Sequence, residues 1–144
     1  MTALIFYEGV LQNNKDQPMM DGFRLVQALV SGGMRMVIAT SGTEERVEHQ
    51  LRTERLLEWI SEVIDKKVAL EPLPLWARQI EVARSRYPVS MVITGDPDIA
   101  KFAVERGIVT LFFSHPGFSQ PAHRPEQGNR SWEQLIDELD RRWS

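Results

Sequence analysis

Continuous apolar runs of strand length alternate with segments of helical period along this chain, and that alternation is the pattern of βαβ units closing a parallel sheet. The runs fall at residues 3–7, 34–40, 89–94 and 108–113. All are short and predominantly apolar, which predicts strands buried on both faces. The expected fold is α/β: an open, three-layer Rossmann-like parallel sheet with helices on both faces. Ligands of such sheets bind beyond the carboxyl ends of the strands, where the strand order reverses. The residues to inspect are therefore those just after each run: 6–9, Thr40 with Ser41, 95–98, and Ser114 with His115.

The segments between the runs carry helix signals. Asp21 is placed to cap a helix with Phe23, Val26, Leu29 and Val30 on one face, ended by Gly32 and Gly33. Ser41 and Glu44 have the spacing of a capping box, with Val47 and Leu51 following on one face. Residues 56–70 are ambiguous: a longer helix or a short strand, with a strand end at 68–70. Pro74 suits a first helical position, and Trp76, Ile80, Ala83 and Tyr87 mark one face after it. A further helix is expected from about residue 98 to 106. Residues 114–130, rich in proline and glycine, read as a surface loop. Ser131 and Gln134 open a last helix over 131–143, with Trp132, Leu135, Ile136, Leu139 and Trp143 on its apolar stripe. The whole 144 residues are expected to form one domain, with a core over 1–113.

Composition narrows the chemistry. With no cysteine, disulfides, thiolate catalysis and Cys-ligated metal are excluded. A net charge of -3 argues against nucleic acid or an anionic membrane as partner. No apolar run approaches the ~20 residues of a membrane span. The opening residues lack a basic segment and reach Glu8 at once, so no signal peptide is expected and the cytoplasm is the expected location. His49, His115 and His123 show no zinc-ligand spacing, and neither a Walker A loop, a dinucleotide fingerprint nor a nucleophile elbow occurs. The arginines at 78, 84 and 86, and at 124, 130, 141 and 142, read as solvated faces.

The strand ends do carry chemistry. Glu8, Asp96 and Asp98 are oxygen donors suited to Mg²⁺. Thr40 and Ser41, ahead of a helix, are suited to a phosphate. Each also suits an ordinary turn or cap.

The order of these residues is more specific than any one of them. Phe6-Tyr7-Glu8-Gly9-Val10-Leu11 resembles the first motif of the haloacid-dehalogenase-like phosphohydrolases, Asp-x-Asp-Gly-Val/Thr-Leu. Residues 37–40, a strand ending in Thr40, resemble the second. Glu71-Pro72-Leu73-Pro74 stands where many members have Lys-Pro-x-Pro, and Gly95-Asp96 resembles the fourth. The likeness spans residues 3–113 in family order. The short stretch between Gly9 and Gly33 points to members without a cap domain. Residues from His115 to Trp132 resemble small bacteriophage-encoded members, which would put the protein in the host cytoplasm.

What the resemblance implies is qualified by the departures. In the family the first aspartate attacks phosphorus, and the second, two residues on along the same strand face, acts as acid and base. Here Phe6 stands at the nucleophile position and has no lone pair to attack with. Glu8 replaces the acid/base aspartate with a carboxyl group displaced by about a bond length, where ~1 Å of misplacement costs ~100-fold. Glu71 replaces the family lysine; Lys66 or Lys67 lies near enough to substitute. Ala100 stands where a further acid is frequent, with Asp98 close by.

The expectation is a catalytically degenerate, pseudophosphatase-like binding or regulatory module. Its expected site comprises a remnant Glu8 and Thr40, a phosphate-binding set of Thr40, Ser41 and Lys67, and a metal set of Glu8, Asp96 and Asp98. No cofactor is required, although Mg²⁺ is chemically compatible. Its partner would be a protein or a phosphorylated small molecule. The alternative is a Mg²⁺-dependent phosphohydrolase that uses Glu8 and Asp96 to activate water without an aspartyl phosphate.

Overall fold

A computed structural model describes residues 1–118. Five parallel strands form one sheet in the order β3-β2-β1-β4-β5. They are β1 (Thr2–Phe6), β2 (Arg35–Ala39), β3 (Ile60–Ile64), β4 (Val89–Thr94) and β5 (Val109–Phe112). The connecting helices are α1 (Met20–Ser31), α2 (Glu44–Thr53), α3 (Leu75–Arg86) and α4 (Pro97–Glu105). Leu4 of β1 lies opposite Val37 of β2 on one side and Val92 of β4 on the other, which makes β1 the central strand.

Strand alternation sorts the core into two clusters. Ala3, Ile5, Met36 and Ile38 pack with Phe23 and Val26 of α1 and Val47 and Leu51 of α2. Leu4, Phe6, Val37 and Ala39 pack with Ile80 and Ala83 of α3 and Ile99 and Ala103 of α4. Every residue of β1 is buried. Fully burying one such aliphatic side chain contributes roughly 1.5–3 kcal/mol, so the central strand anchors both clusters.

Several expectations need correction. The ambiguous 56–70 region holds β3, flanked by short 3-10 turns at Leu57–Trp59 and Lys66–Val68, so 68–70 is not a strand end. Its one exposed strand residue, Ser61, and its half-buried Ile60 and Glu62 hid it from a search for continuous apolar runs. Nor is β5 covered as expected. Val109, Leu111 and Phe112 are exposed, because the last strand forms a sheet edge. Asp21 does not cap α1: the helix begins at Met20, and Asp21 lies in its first turn, paired with Arg24 and His115. Ser41 does not open α2, which begins at Glu44 after Thr43. The helix expected over 131–143 and the loop beyond residue 118 lie outside the described residues.

The strand order reverses between β1 and β4. The chain moves outward from β1 to β2 and β3, then returns to β4 and continues to β5. The segments after Phe6 and Thr94 are thus brought side by side at the carboxyl edge of the sheet, the place where a crevice is expected.

Candidate functional site

Immediately after β1 the chain makes a tight turn. Glu8 (φ -71°, ψ 123°) and Gly9 (φ 97°, ψ -17°) have the dihedrals of a type II turn, whose second central residue favours glycine. Gly95, after β4, lies so close that a β-carbon there would come within 2.7 Å of the Gly9 carbonyl oxygen. The two loops interlock through bare backbone, and this fixes where Glu8 projects.

The Glu8 carboxylate is held by the end of β2. The Thr40 hydroxyl donates to Oε2 at 2.8 Å and lies 3.1 Å from Oε1. The Ser41 amide donates to Oε1 at 2.6 Å, and the Ser41 hydroxyl donates to the same oxygen at 3.0 Å. Thr40 is itself oriented, since its Oγ1 accepts from the Gly42 amide at 3.0 Å. An amide and two hydroxyls converging on one point form a cradle for an oxyanion, and the anion in it is the protein's own side chain. Bonds to a charged acceptor are roughly twice as strong as neutral ones, so this constellation fixes Glu8 firmly.

Two residues that the sequence did not single out support the cradle. Gln79, buried on α3, donates from Nε2 to the carbonyls of Thr40 at 2.8 Å and Ile64 at 3.0 Å, tying together the ends of β2 and β3. Asp65, buried just after β3, accepts from the Glu44 amide at 3.2 Å and thereby caps α2 from across the sheet edge. It also accepts from the Lys67 amide at 2.9 Å. A polar residue on an otherwise apolar helix stripe was the available signal for Gln79. For Asp65 the signal depended on first finding β3.

The remaining expected residues are distributed as follows. Phe6 is 5% exposed and packs in the cluster shared with α3 and α4. A residue of this size contributes a few kcal/mol by burial, so the position serves packing. Lys67 is largely exposed, its ammonium 3.9 Å from Asp65 Oδ2, and it lines neither cavity that Glu8 borders. Asp96 caps α4: its Oδ1 accepts from the Asp98 amide at 2.8 Å. Asp98 is exposed in the first turn of that helix. Among the described residues no group of three or more His, Asp or Glu side chains is placed to hold an ion. Glu8 and Asp96 share a cavity, and Asp98 does not line it. Helix capping claims Asp96, and hydroxyl and amide donors claim Glu8.

Glu8 stands between two hollows. One, of about 130 Å³, is lined by Tyr7, Gln12, Asp16, Thr43 and Arg46 as well as the cradle. Arg46 pairs there with Asp16 at 3.8 Å. The other, of about 170 Å³, lies toward α3 and α4. On the first side, burial pushes the Tyr7 phenol from 10.0 up to about 12; the neighbouring Glu8 charge adds to this and Arg46 opposes it. Below pH 10 the proton is present in both folded and unfolded chains, so the contribution is intact. Between 10 and 12 the unfolded chain ionises first, and stability falls by on the order of 2 kcal/mol. Phenolate absorbance should show one tyrosine ionising near pH 12, and Tyr7→Phe should abolish that step. A folded wild type whose titration shows no step near pH 12 would contradict this placement.

No helix among the described residues is long and apolar enough to cross a membrane. No protein-family model matches the chain, and no curated protein does. A solved structure of an uncharacterized protein from Corynebacterium glutamicum is similar to it, with a TM-score of 0.54 and 20% sequence identity over 79% of this chain and 85% of that one. Likeness at that identity concerns the fold alone: the chain is an α/β protein with a Rossmann-like, all-parallel sheet.

Proposed function

We propose that the protein is a capless haloacid-dehalogenase-like domain that has lost phosphoryl-transfer chemistry and acts as a binding or regulatory module. In this reading α1 and α2 cover one face of the sheet and α3 and α4 the other, giving three layers. The observation that carries it is the Glu8 carboxylate seated among the Thr40 hydroxyl and the Ser41 amide and hydroxyl. Those donors belong to Thr40 and Ser41, the residues whose place after a strand suits them to a phosphate. A fixed internal carboxylate competes with an incoming phosphate for every one of them, and like charge at contact distance adds repulsion. Phe6 supports the same reading, since it offers packing where the family mechanism needs a nucleophile.

The alternative is water activation by Glu8 beside a metal held by Asp96. Glu8 and Asp96 do line one cavity, but Asp96 is engaged in capping a helix and Glu8 by hydroxyl and amide donors, which favours the first reading. The test is hydrolysis of an aryl phosphate by the full chain with Mg²⁺. No turnover above buffer is expected. Mg²⁺-dependent hydrolysis that Glu8→Gln and Asp96→Asn both abolish would overturn the proposal in favour of the alternative.

A further inference from the structure

We propose that the cavity at the strand-order reversal binds a small organic cation, an alkylated amine or quaternary ammonium group. The inference rests on the reading above, that this site binds rather than hydrolyses, and gives it a ligand class. The cavity, of about 170 Å³, opens where β1 and β4 end. Three aromatic side chains line it: Phe6, Trp76 and Phe118. Each is braced before any ligand arrives. Phe6 is buried in the core. Trp76 meets Phe102 edge to face, with ring centroids 5.0 Å apart and planes at 76°. Phe118 lies over Gly9, so close that a β-carbon on Gly9 would come within 2.7 Å of its ring. Preorganised rings cost a ligand little ordering.

The charges lining the cavity are of one sign. Glu8 and Asp96 contribute carboxylates, and neither lysine nor arginine lines it among the described residues. An anion would face two carboxylates among three aromatic rings, with the donors suited to it already engaged by Glu8. A hard metal ion would find two carboxylates already engaged, Asp96 in capping and Glu8 by its donors, set among rings and the aliphatic Leu75 and Ile99. An alkylated ammonium satisfies both features at once: its alkyl groups fill the apolar walls, and its charge is attracted to ring faces and carboxylates.

The test is a titration of the full chain with choline, with its uncharged isostere in which carbon replaces the ammonium nitrogen, and with inorganic phosphate. The Trp76 indole and the Gly95 and Ser41 amides are followed by NMR. Choline should shift the Trp76 and Gly95 signals saturably. The isostere should bind at least about fivefold more weakly, and phosphate should shift nothing. Trp76→Ala and Phe118→Ala should each weaken choline roughly two- to thirtyfold. Asp96→Asn should weaken choline and leave the isostere unaffected. Equal binding of choline and isostere, or no saturable shift with choline, overturns the cation assignment while the loss of phosphoryl chemistry stands. Saturable phosphate shifts at Ser41 in the wild type would overturn both.

Discussion

Gly22→Ala is expected to cost more than about 3 kcal/mol, a large share of the stability of a domain of this size. Gly22 lies in the first turn of α1 and packs against the turn at residues 7–10. A β-carbon at this position would stand 1.6 Å from the Val10 carbonyl oxygen and 2.6 Å from its carbon. Both atoms are backbone, so no side-chain rotation relieves the overlap and the helix must shift away from the turn. Replacing a helical glycine by alanine ordinarily gains about 1 kcal/mol in propensity, which is small beside a main-chain clash. Urea unfolding of the variant should show a greatly lowered midpoint. A loss below about 1 kcal/mol would contradict the close approach of α1 to the turn that carries Glu8.

Glu8→Ala has the second-largest expected effect, and it bears on the site directly. Removing the carboxylate deprives the Thr40 hydroxyl and the Ser41 amide and hydroxyl of a common acceptor. Bonds to a charged group contribute about 1.5–3 kcal/mol, while water reaching the exposed Ser41 recovers part of the loss. A net destabilisation of about 2 kcal/mol is expected. The vacated donors would then accept an external oxyanion, so inorganic phosphate should restore stability to the variant in proportion to its occupancy and leave the wild type unchanged. Thermal unfolding of both proteins with and without phosphate measures this. Equal stabilisation of the two would mean that Glu8 does not occupy the cradle.

Much of this arrangement was legible in the sequence because it follows from local rules. Runs such as 89–94 are apolar enough to identify strands. Glycines 32 and 33 end α1 as expected, with Gly33 at φ 90°. The α/β class and the place to look, the residues just beyond β1, β2 and β4, came from the alternation alone. The pairing of Glu8 with Thr40 and Ser41 was not legible, because it joins residues more than thirty positions apart whose register depends on β1 lying beside β2. The serine that fits a local capping box is taken by a carboxylate from the turn after β1, and the cap of α2 comes instead from Asp65, beyond β3. Gly22 gave no sign of its role, since a glycine near a helix start is unremarkable until its neighbour across the fold is known. Gln79 was not legible, because only the two carbonyls it bonds, at the ends of β2 and β3, explain a buried amide.

The most direct measurement is the Ser41 amide resonance during a phosphate titration of the wild type and of Glu8→Ala. If Glu8 fills the oxyanion cradle, the wild-type signal stays fixed while the variant's moves to saturation. A wild-type Ser41 amide that moves saturably with phosphate would show the cradle open to ligand, and the account of a self-occupied site would fail.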